Sequence, residues 1–501
     1  MLDATYHACI RLADLLTRRR HLMLFLGLPL LLALILLINR FVLHDFPNSG
    51  DEYVYLYQAA TMAAGRLWNR SPVAPEAFWF TYIEQAAGRG YGTFPFGWPV
   101  VLTLAMRLRV PVWLVNPLLG GVTALLAGTL GRRLYGPRAG VWAALIVGSM
   151  PFVLFNAASY FSHTFSGVLL LAAACLAARE ERSPMHAFAI GLLLAWAVLT
   201  RYYTGVLCGV PVVLLLMRRP AGMADDIYRR FVLRMLLFVV LGGVPGMVAL
   251  GAYDQAINGS PWQLTTQAGT FGNWFKAGFA SRGLEILANH IGRHLIWTPP
   301  AIVFLYVVYL RTIPRARRTP LDWTLVVTAV TLFFYFERGG NQYGARFHYE
   351  AFLFATVFVC GQLFQRESLV GAPRRDRRAF AAFALSLLAL PVQFAGHAVI
   401  EARVIRERLD PFTTVTQAGV HDAVVFLEGR IGTARPMYGR DLTRNGLTYD
   451  GSVLYAVDAG TPADCAVMTH YPGRTAYRYV WDVKERTGVL SAISCGTQAA
   501  G

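Results

Sequence analysis

An acidic pair, Asp51-Glu52, stands directly after the first long apolar segment of the chain, in the run GDEYVYLYQA. The apolar segment, Leu22 to Leu43, has about 22 residues at about 1.5 Å each, enough to cross a bilayer core of about 30 Å. Its length, without a small-residue cleavage site after it, predicts a retained anchor rather than a signal peptide. The two carboxylates are therefore expected at a membrane surface, where one of them could accept a proton from an attacking hydroxyl group.

Further charged or titratable side chains are predicted at the same surface, each near the end of an apolar segment. They are His163, Arg201, Lys276, Glu337, Arg338, Arg346, His348 and Glu350. Ionisable groups at membrane depth are costly, so those facing the interior of a helix bundle are candidates for function. Arginines beside a carboxylate suit chemistry on a phosphate-carrying lipid, because a guanidinium binds phosphate through several donors. The alternative is that the arginines snorkel at segment ends and that His163 is a polar residue packed between helices.

The elements that must position these residues are transmembrane helices. The 501-residue chain is 55% hydrophobic and only 15% charged, well below the charged fraction of about 25% that is usual for soluble domains. Its net charge of +17 comes from short arginine clusters between apolar runs, which is typical of cytoplasmic loops and not of a nucleic-acid interface. The first cluster, Arg18 to Arg20, places the N-terminus in the cytoplasm and the acidic pair outside.

Eleven apolar segments alternate with these clusters. They lie at about 22–43, 112–131, 139–156, 160–178, 186–200, 203–217, 232–253, 295–310, 322–336, 349–365 and 379–399. The sequence therefore predicts an all-α polytopic membrane protein of about eleven spans over 1–399. Two long outer connections are expected, at 44–111 and 254–294. Within the first, 98–109 is too short to span and is predicted to lie in the membrane interface, as are Tyr53, Tyr55 and Tyr57.

From about 400 to 501 the chain is more polar and carries short β-like runs such as DAVVFL and SVLYAV between Gly, Pro and Asp turns. This region is predicted to be a small external α/β domain. Cys465 and Cys495 both fall in it. They form either a disulfide, if the region is external, or two free thiols.

In this order the motifs resemble those of the GT-C superfamily of integral membrane glycosyltransferases, in the branch of the protein O-mannosyltransferases and the lipid A aminoarabinose transferase. The matching motifs are GDEYVYLYQA, FPFGWPVVLTLAMRL, GRRLYGPRAG, SYFSHTFSG, LTRYYTG and YGARFHYEAF. Together they cover about residues 20 to 365. The resemblance implies a GT-C-like fold and a polyprenyl-phosphate sugar as donor.

The resemblance also implies roles for individual residues. The first-loop acid, Asp51, would be the catalytic base, with Glu52 as its support. Arg201 and Arg346 lie where basic residues of similar enzymes contact the donor phosphate. Relatives often carry a second acid at the outer end of the third or fourth span, where this chain has Ser162 and His163, so a second acidic function is in doubt. His163 would then bind sugar or phosphate, and Lys276 and His348 complete the predicted donor-binding set.

The function these features predict is transfer of a sugar to an acceptor hydroxyl on a glycan, lipid or protein at the outer face of the membrane. No cofactor is required. A divalent cation could bind the acidic pair only if other oxygen ligands converge on it. The alternatives are a flippase or transporter, whose paired inverted halves are not visible here, a ligase or polymerase of lipid-linked glycans, and a structural scaffold. Because arginine outnumbers lysine, as in GC-rich bacterial genomes, the predicted location is a bacterial inner membrane.

Overall fold

The computed structural model describes residues 2–19, 21, 23–220, 222–265, 279–314, 317–335, 340–365, 374–428, 442–482 and 484–495. Helices dominate the chain up to Gln417. In chain order they are α1 (Leu2–Arg18), α2 (Met23–Val42), α3 (Gly50–Ala63), α4 (Gly97–Arg107), α5 (Val112–Tyr135), α6 (Pro137–Ser149), α7 (Pro151–Ala158), α8 (His163–Ala177), α9 (Pro184–Thr200), α10 (Tyr202–Leu216), α11 (Asp225–Asn258), α12 (Phe279–Trp297), α13 (Pro300–Thr312), α14 (Thr324–Phe333), α15 (Tyr349–Phe364), α16 (Arg374–Leu387) and α17 (Ala389–Gln417).

The apolar helices confirm an all-α membrane protein. Among the described residues, five helices are long and apolar enough to cross a membrane, and the pair α6–α7, bent by 59°, makes a sixth candidate. Five shorter apolar helices accompany them, and each predicted span overlaps one member of this set. Candidate spans such as α2 and α11 bury only 17% of their most apolar window, whereas the span that contains α15 buries 89%. The poorly buried helices therefore face lipid, and α15 lies at the centre of the bundle.

The first outer connection is a folded element rather than a bare loop. It contains α3, the predicted short helix α4, and a three-stranded antiparallel sheet of β1 (Asn69–Arg70), β2 (Ile83–Ala86) and β3 (Arg89–Gly92). The prediction of an interfacial tyrosine belt on α3 was wrong. Tyr53, Tyr55 and Tyr57 are 0%, 2% and 4% exposed, because the sheet and neighbouring helices cover several faces of α3 and not only one.

Two boundaries differ from the sequence prediction. The connection placed at 254–294 is shorter, because α11 continues to Asn258 and α12 already begins at Phe279. The last long helix, α17, continues to Gln417, past the predicted domain start at 400. Polar residues end an apolar pattern without ending a helix, so hydropathy marks the limit of a span and not the limit of the helix that contains it.

The C-terminal region is the predicted small α/β domain. Its sheet contains β4 (Ala423–Glu428), β5 (Val453–Asp458), β6 (Thr475–Asp482) and β7 (Thr487–Ala492) in the order β5-β4-β6-β7, with one helix, α18 (Thr461–Met468), between β5 and β6. Strand β4 pairs in parallel with β5 and β6, and β7 is antiparallel to β6. Cys465 on α18 and Cys495 form a disulfide, which decides between the two alternatives for these residues.

The C-terminal domain packs on the same side of the helix bundle as the first outer connection. Phe78, from a 3-10 turn of that connection, lies 5.0 Å from the ring of Tyr449 and belongs to the apolar core beneath the sheet. On α17, Phe412 contacts the ring of Tyr455 at 4.8 Å. The first outer connection, α17 and the C-terminal sheet are therefore joined by buried apolar contacts.

Candidate functional site

The N-terminus of α3 presents the acidic pair. Ser49 caps this helix, and its hydroxyl oxygen accepts a hydrogen bond from the backbone N–H of Glu52 at 3.3 Å. Asp51 and Glu52 occupy the first helical turn, where unpaired N–H groups and the helix dipole favour negative charge. The local sequence Ser-Gly-Asp-Glu therefore accounts for both the start of the helix and the position of its carboxylates.

Asp51 forms an ion pair with Arg346, 295 residues later in the chain. The Arg346 Nη1 atom lies 2.7 Å from Asp51 Oδ2, and the side chains are only 9% and 16% exposed. Arg346 belongs to a short 3-10 turn, Arg346–His348, that directly precedes α15. Its guanidinium stacks over the ring of Phe161 at 4.0 Å. Two residues predicted to act together are thus in direct contact at a partly open surface.

Glu52 contacts backbone rather than Asp51. Its side chain is fully buried, and its two carboxylate oxygens accept hydrogen bonds from the backbone N–H groups of Asn48 and Tyr160, each at 2.9 Å. Glu52 therefore fastens the segment before α3 to the segment before α8. It lies outside the spanning helices, and burial raises its pKa to about 7, because the loss of water outweighs the backbone hydrogen bonds that favour the carboxylate.

Glu52→Gln is expected to remove a pH-dependent part of the stability. The folded-state pKa of about 7 exceeds the ordinary value of 4.5, so the folded protein binds this proton more tightly than the unfolded chain does. The resulting stabilisation is complete below the ordinary pKa and is lost as the pH rises through the folded-state value. Thermal unfolding between about pH 5 and pH 8 should show the wild type losing stability relative to the variant. A difference that stays constant over this range would contradict the assignment.

Arg201 forms the second charged pair of the site. It occupies the break between α9 and α10, and its Nε lies 3.4 Å from Oε1 of the fully buried Glu350 on α15. Its other contacts, with the hydroxyls of Thr204 and Ser162, are 3.4 and 3.5 Å long. These distances are at the long limit for hydrogen bonds. A guanidinium has five N–H groups, so Arg201 retains donors for a ligand.

Ser162 links Arg201 to α3, and His163 is the buried residue that follows it. The Ser162 hydroxyl lies 3.1 Å from the hydroxyl of Tyr55 on α3 and also contacts Arg201. His163 is fully buried beside the rings of Phe161 and Tyr349. Within the described residues, neither nitrogen of the His163 ring has a hydrogen-bond partner.

Of the remaining predicted site residues, His348 is held in a separate histidine cluster. His348 lies in the turn of Arg346, but its Nδ1 contacts Nε2 of His294 at 3.1 Å, within a buried histidine cluster that includes His290. Lys276 lies outside the described residues. In the part of the chain that the structure describes, no group of three or more His, Cys, Asp and Glu side chains could hold a metal ion.

Sequence reasoning missed several contacts at this site. It placed Glu350 in the outer cluster without assigning it a role, although an acid at the start of an apolar span is a visible signal. It also missed Asn48, three residues before Asp51, where an Asn-Ser run marks a helix start. Arg408, on α17, contacts Asn48, and no local pattern in the sequence points to that contact.

The C-terminal sheet region matches a known sequence family. Residues 423–489 match the model of a domain of unknown function, DUF7846. No curated protein sequence matches the chain.

The whole chain is similar in structure to ArnT from Cupriavidus metallidurans. The crystal structure of ArnT bound to undecaprenyl phosphate gives a TM-score of 0.57 at 13% identity over 94% of this chain and 98% of that one. The apo state gives 0.51 over the same shares, also at 13% identity. The archaeal oligosaccharyltransferase AglB from Archaeoglobus fulgidus, in complex with an inhibitory peptide and a dolichol-phosphate, gives 0.42 at 14% identity over 76% of this chain and 56% of that chain. The similarity to ArnT confirms the predicted fold: the chain has a GT-C-like fold.

Proposed function

We propose that the chain is a glycosyltransferase that moves a sugar from a polyprenyl-phosphate donor to an acceptor hydroxyl group, with Asp51 as general base. The observation that carries this proposal is the contact of Asp51 with Arg346 at the first turn of α3. Arg346 lies over the ring of Phe161, and Arg201, the partner of Glu350, contacts the adjacent residue Ser162. The site thus combines a partly exposed carboxylate with two guanidinium groups. That combination suits proton removal from a hydroxyl and binding of a phosphate.

The chemistry is a single displacement at the anomeric carbon of the donor sugar. Asp51 takes the proton of the acceptor hydroxyl as its oxygen forms a bond to the anomeric carbon. The bond from that carbon to the phosphate oxygen breaks, and its electron pair leaves with the prenyl phosphate. Attack opposite the leaving group inverts the anomeric centre. The proton remains on Asp51 until solvent removes it.

The arginines stabilise the negative charge on the departing phosphate. Arg201 retains N–H groups that can bind the phosphate, because its contacts with Glu350, Thr204 and Ser162 are long. Arg346 holds Asp51 through Nη1, and its buried Nε has no hydrogen-bond partner among the described residues. Arg346 thus orients the base and keeps one N–H group for the phosphate, and Arg201 binds the phosphate with its remaining N–H groups. His163 follows Ser162 in the chain, and its unpartnered ring nitrogens suit a hydroxyl or phosphate oxygen of the sugar donor.

The fold supports a polyprenyl-phosphate sugar as the donor. The structurally similar ArnT binds undecaprenyl phosphate, a polyprenyl phosphate, and the weakly buried helices of this chain offer an apolar surface for a prenyl chain. A glycan, a lipid or a protein could provide the acceptor hydroxyl.

We place the site on the outer side of a bacterial inner membrane, with the N-terminus in the cytoplasm and the C-terminal domain outside. The disulfide between Cys465 and Cys495 supports this orientation, because disulfides persist in oxidising compartments. The arginine clusters between the apolar helices also support it, because arginine-rich loops are typical of the cytoplasmic side of a membrane. Since the first outer connection contacts the C-terminal sheet, both lie on one face of the membrane.

Mass spectrometry of host cells with and without the chain tests the proposed function. We expect cells lacking it to lose one sugar modification of an envelope glycan, lipid or protein and to accumulate a polyprenyl-phosphate sugar of the corresponding mass. In liposomes that contain the purified protein and that donor lipid, addition of acceptor should then convert the donor into free polyprenyl phosphate. Movement of the donor between leaflets without its consumption would favour a flippase. Joining or polymerisation of preassembled glycans would favour a ligase or polymerase.

A further inference from the structure

Asn48 is a junction between three parts of the chain. Its backbone N–H donates to Glu52 Oε2 at 2.9 Å, which ties it to the first turn of α3. Its side-chain amide donates to the hydroxyl of Tyr343 at 3.2 Å and to Glu401 Oε2 at 3.4 Å. Its carbonyl oxygen accepts a hydrogen bond from Gln342 Nε2 at 3.2 Å. The residue is 1% exposed.

Arg408 of α17 also binds Asn48. Its Nη1 donates to the Asn48 Oδ1 atom at 2.5 Å and also to the Asn48 carbonyl oxygen. One guanidinium nitrogen therefore contacts both oxygens of Asn48. These bonds are charge-assisted, and such bonds are stronger than those between neutral groups.

The helix that carries Arg408 is itself held by the C-terminal domain. The hydroxyl of Tyr479 on β6 donates to Asp410 Oδ2 at 2.6 Å, two residues beyond Arg408. Phe412, one turn beyond Arg408, packs against Tyr455 on β5. A continuous set of contacts thus joins the extramembrane sheet to α17, α17 to Asn48, and Asn48 to the turn that presents Asp51.

We propose that Arg408, acting through Asn48, is a positioning residue for Asp51, so that the extramembrane domain and α17 form part of the scaffold of the transfer site. The proposal rests on the proposed function. Asn48 precedes the Ser49 cap, and a shift of Asn48 moves the first turn of α3 and its carboxylate. A displacement of about 1 Å at a reacting group can cost about a hundredfold in rate. Arg201, the proposed donor-phosphate ligand, lies on another element and keeps its contacts.

The kinetic prediction is a loss of turnover without a loss of donor binding. In Arg408→Ala, kcat should fall by about tenfold or more, while the Kd for undecaprenyl phosphate stays within about twofold of wild type. Arg408→Lys, which keeps a cationic donor, should recover a large part of the rate. Asn48→Ala should resemble Arg408→Ala, and the double variant should be no slower than the slower single variant, because the two residues act as one unit. The matched control is Arg403→Ala, an exposed arginine on the same helix.

These measurements are made on the full chain in detergent or nanodiscs, with the donor sugar identified from the host. Binding of undecaprenyl phosphate also shows that a variant is folded. If Arg408→Ala transfers sugar at the rate of the Arg403→Ala control, the positioning role is wrong and the proposed function stands. If donor binding and kcat fall together and Arg408→Lys restores neither, Arg408 supports folding alone and the positioning role is again wrong. If the wild type consumes no polyprenyl-phosphate sugar, the proposed function itself fails and the inference fails with it.

Discussion

Asp51→Asn is expected to lower the rate of sugar transfer by about 10²- to 10⁴-fold, the usual contribution of a positioned general base. The amide keeps the size and most contacts of the side chain but cannot take a proton from the acceptor hydroxyl. Because Arg201 and Glu350 are untouched, binding of undecaprenyl phosphate should change far less than kcat. The measurement is the initial rate of polyprenyl phosphate release from the donor in liposomes, alongside the Kd for undecaprenyl phosphate.

The control for Asp51 is Glu84→Gln, which neutralises an exposed carboxylate on β2 of the same outer connection. It should leave the rate near that of the wild type. In cells, Asp51→Asn at matched expression should reproduce the loss of the glycan modification. An Asp51→Asn protein that binds undecaprenyl phosphate and transfers sugar at the wild-type rate would show that this carboxylate is not the base.

Arg201→Met is expected to act mainly on donor binding. Removal of the guanidinium takes away charge-assisted hydrogen bonds to the donor phosphate, each worth about 1.5–3 kcal/mol, which corresponds to a loss of about 10- to 100-fold in affinity. The variant also leaves Glu350 buried without its cation, and the negative charge of Glu350 would repel the phosphate. The Kd for undecaprenyl phosphate and the KM for the donor should therefore rise together.

The matched control is Arg70→Met, since Arg70 is exposed on β1 of the first outer connection. Arg201→Lys separates charge from geometry, because lysine keeps the cation but lacks the planar set of donors. It should recover part of the affinity. If Arg201→Met folds and binds undecaprenyl phosphate as tightly as the control does, Arg201 is only a partner of Glu350 and the phosphate site lies elsewhere.

The two charged pairs differ in a way that suits different tasks. Arg346 and Asp51 make a short contact at a partly exposed position, whereas Arg201 and Glu350 are more widely separated and Glu350 is fully buried. A buried ion pair is weak evidence for stability, because the loss of water around its charges offsets their attraction. We propose that Glu350 holds Arg201 in place for the donor phosphate, in line with the roles proposed above for the two arginines.

The sequence alone determined the spanning helices and the C-terminal α/β region of this protein. Hydropathy runs identify spanning helices because burial in lipid depends on each segment's own composition. The Ser-Gly-Asp-Glu run also accounts for the start of α3, because capping is a contact within one helical turn, although this signal was missed in the sequence-based prediction. Local patterns also predicted the C-terminal α/β domain and the short helix α4, and the motif order indicated the GT-C-like fold.

Only the tertiary structure decided which of these residues meet. Asp51 reaches Arg346 across 295 positions, while His348, two residues from Arg346, turns toward His294. Glu52, adjacent to Asp51, accepts hydrogen bonds from the backbone N–H groups of Asn48 and Tyr160 and does not support Asp51 directly. Arg408 contacts Asn48 across 360 positions. Such contacts depend on how helices rotate and cross when they pack, and that geometry arises from many side chains together rather than from the local pattern around any one of them.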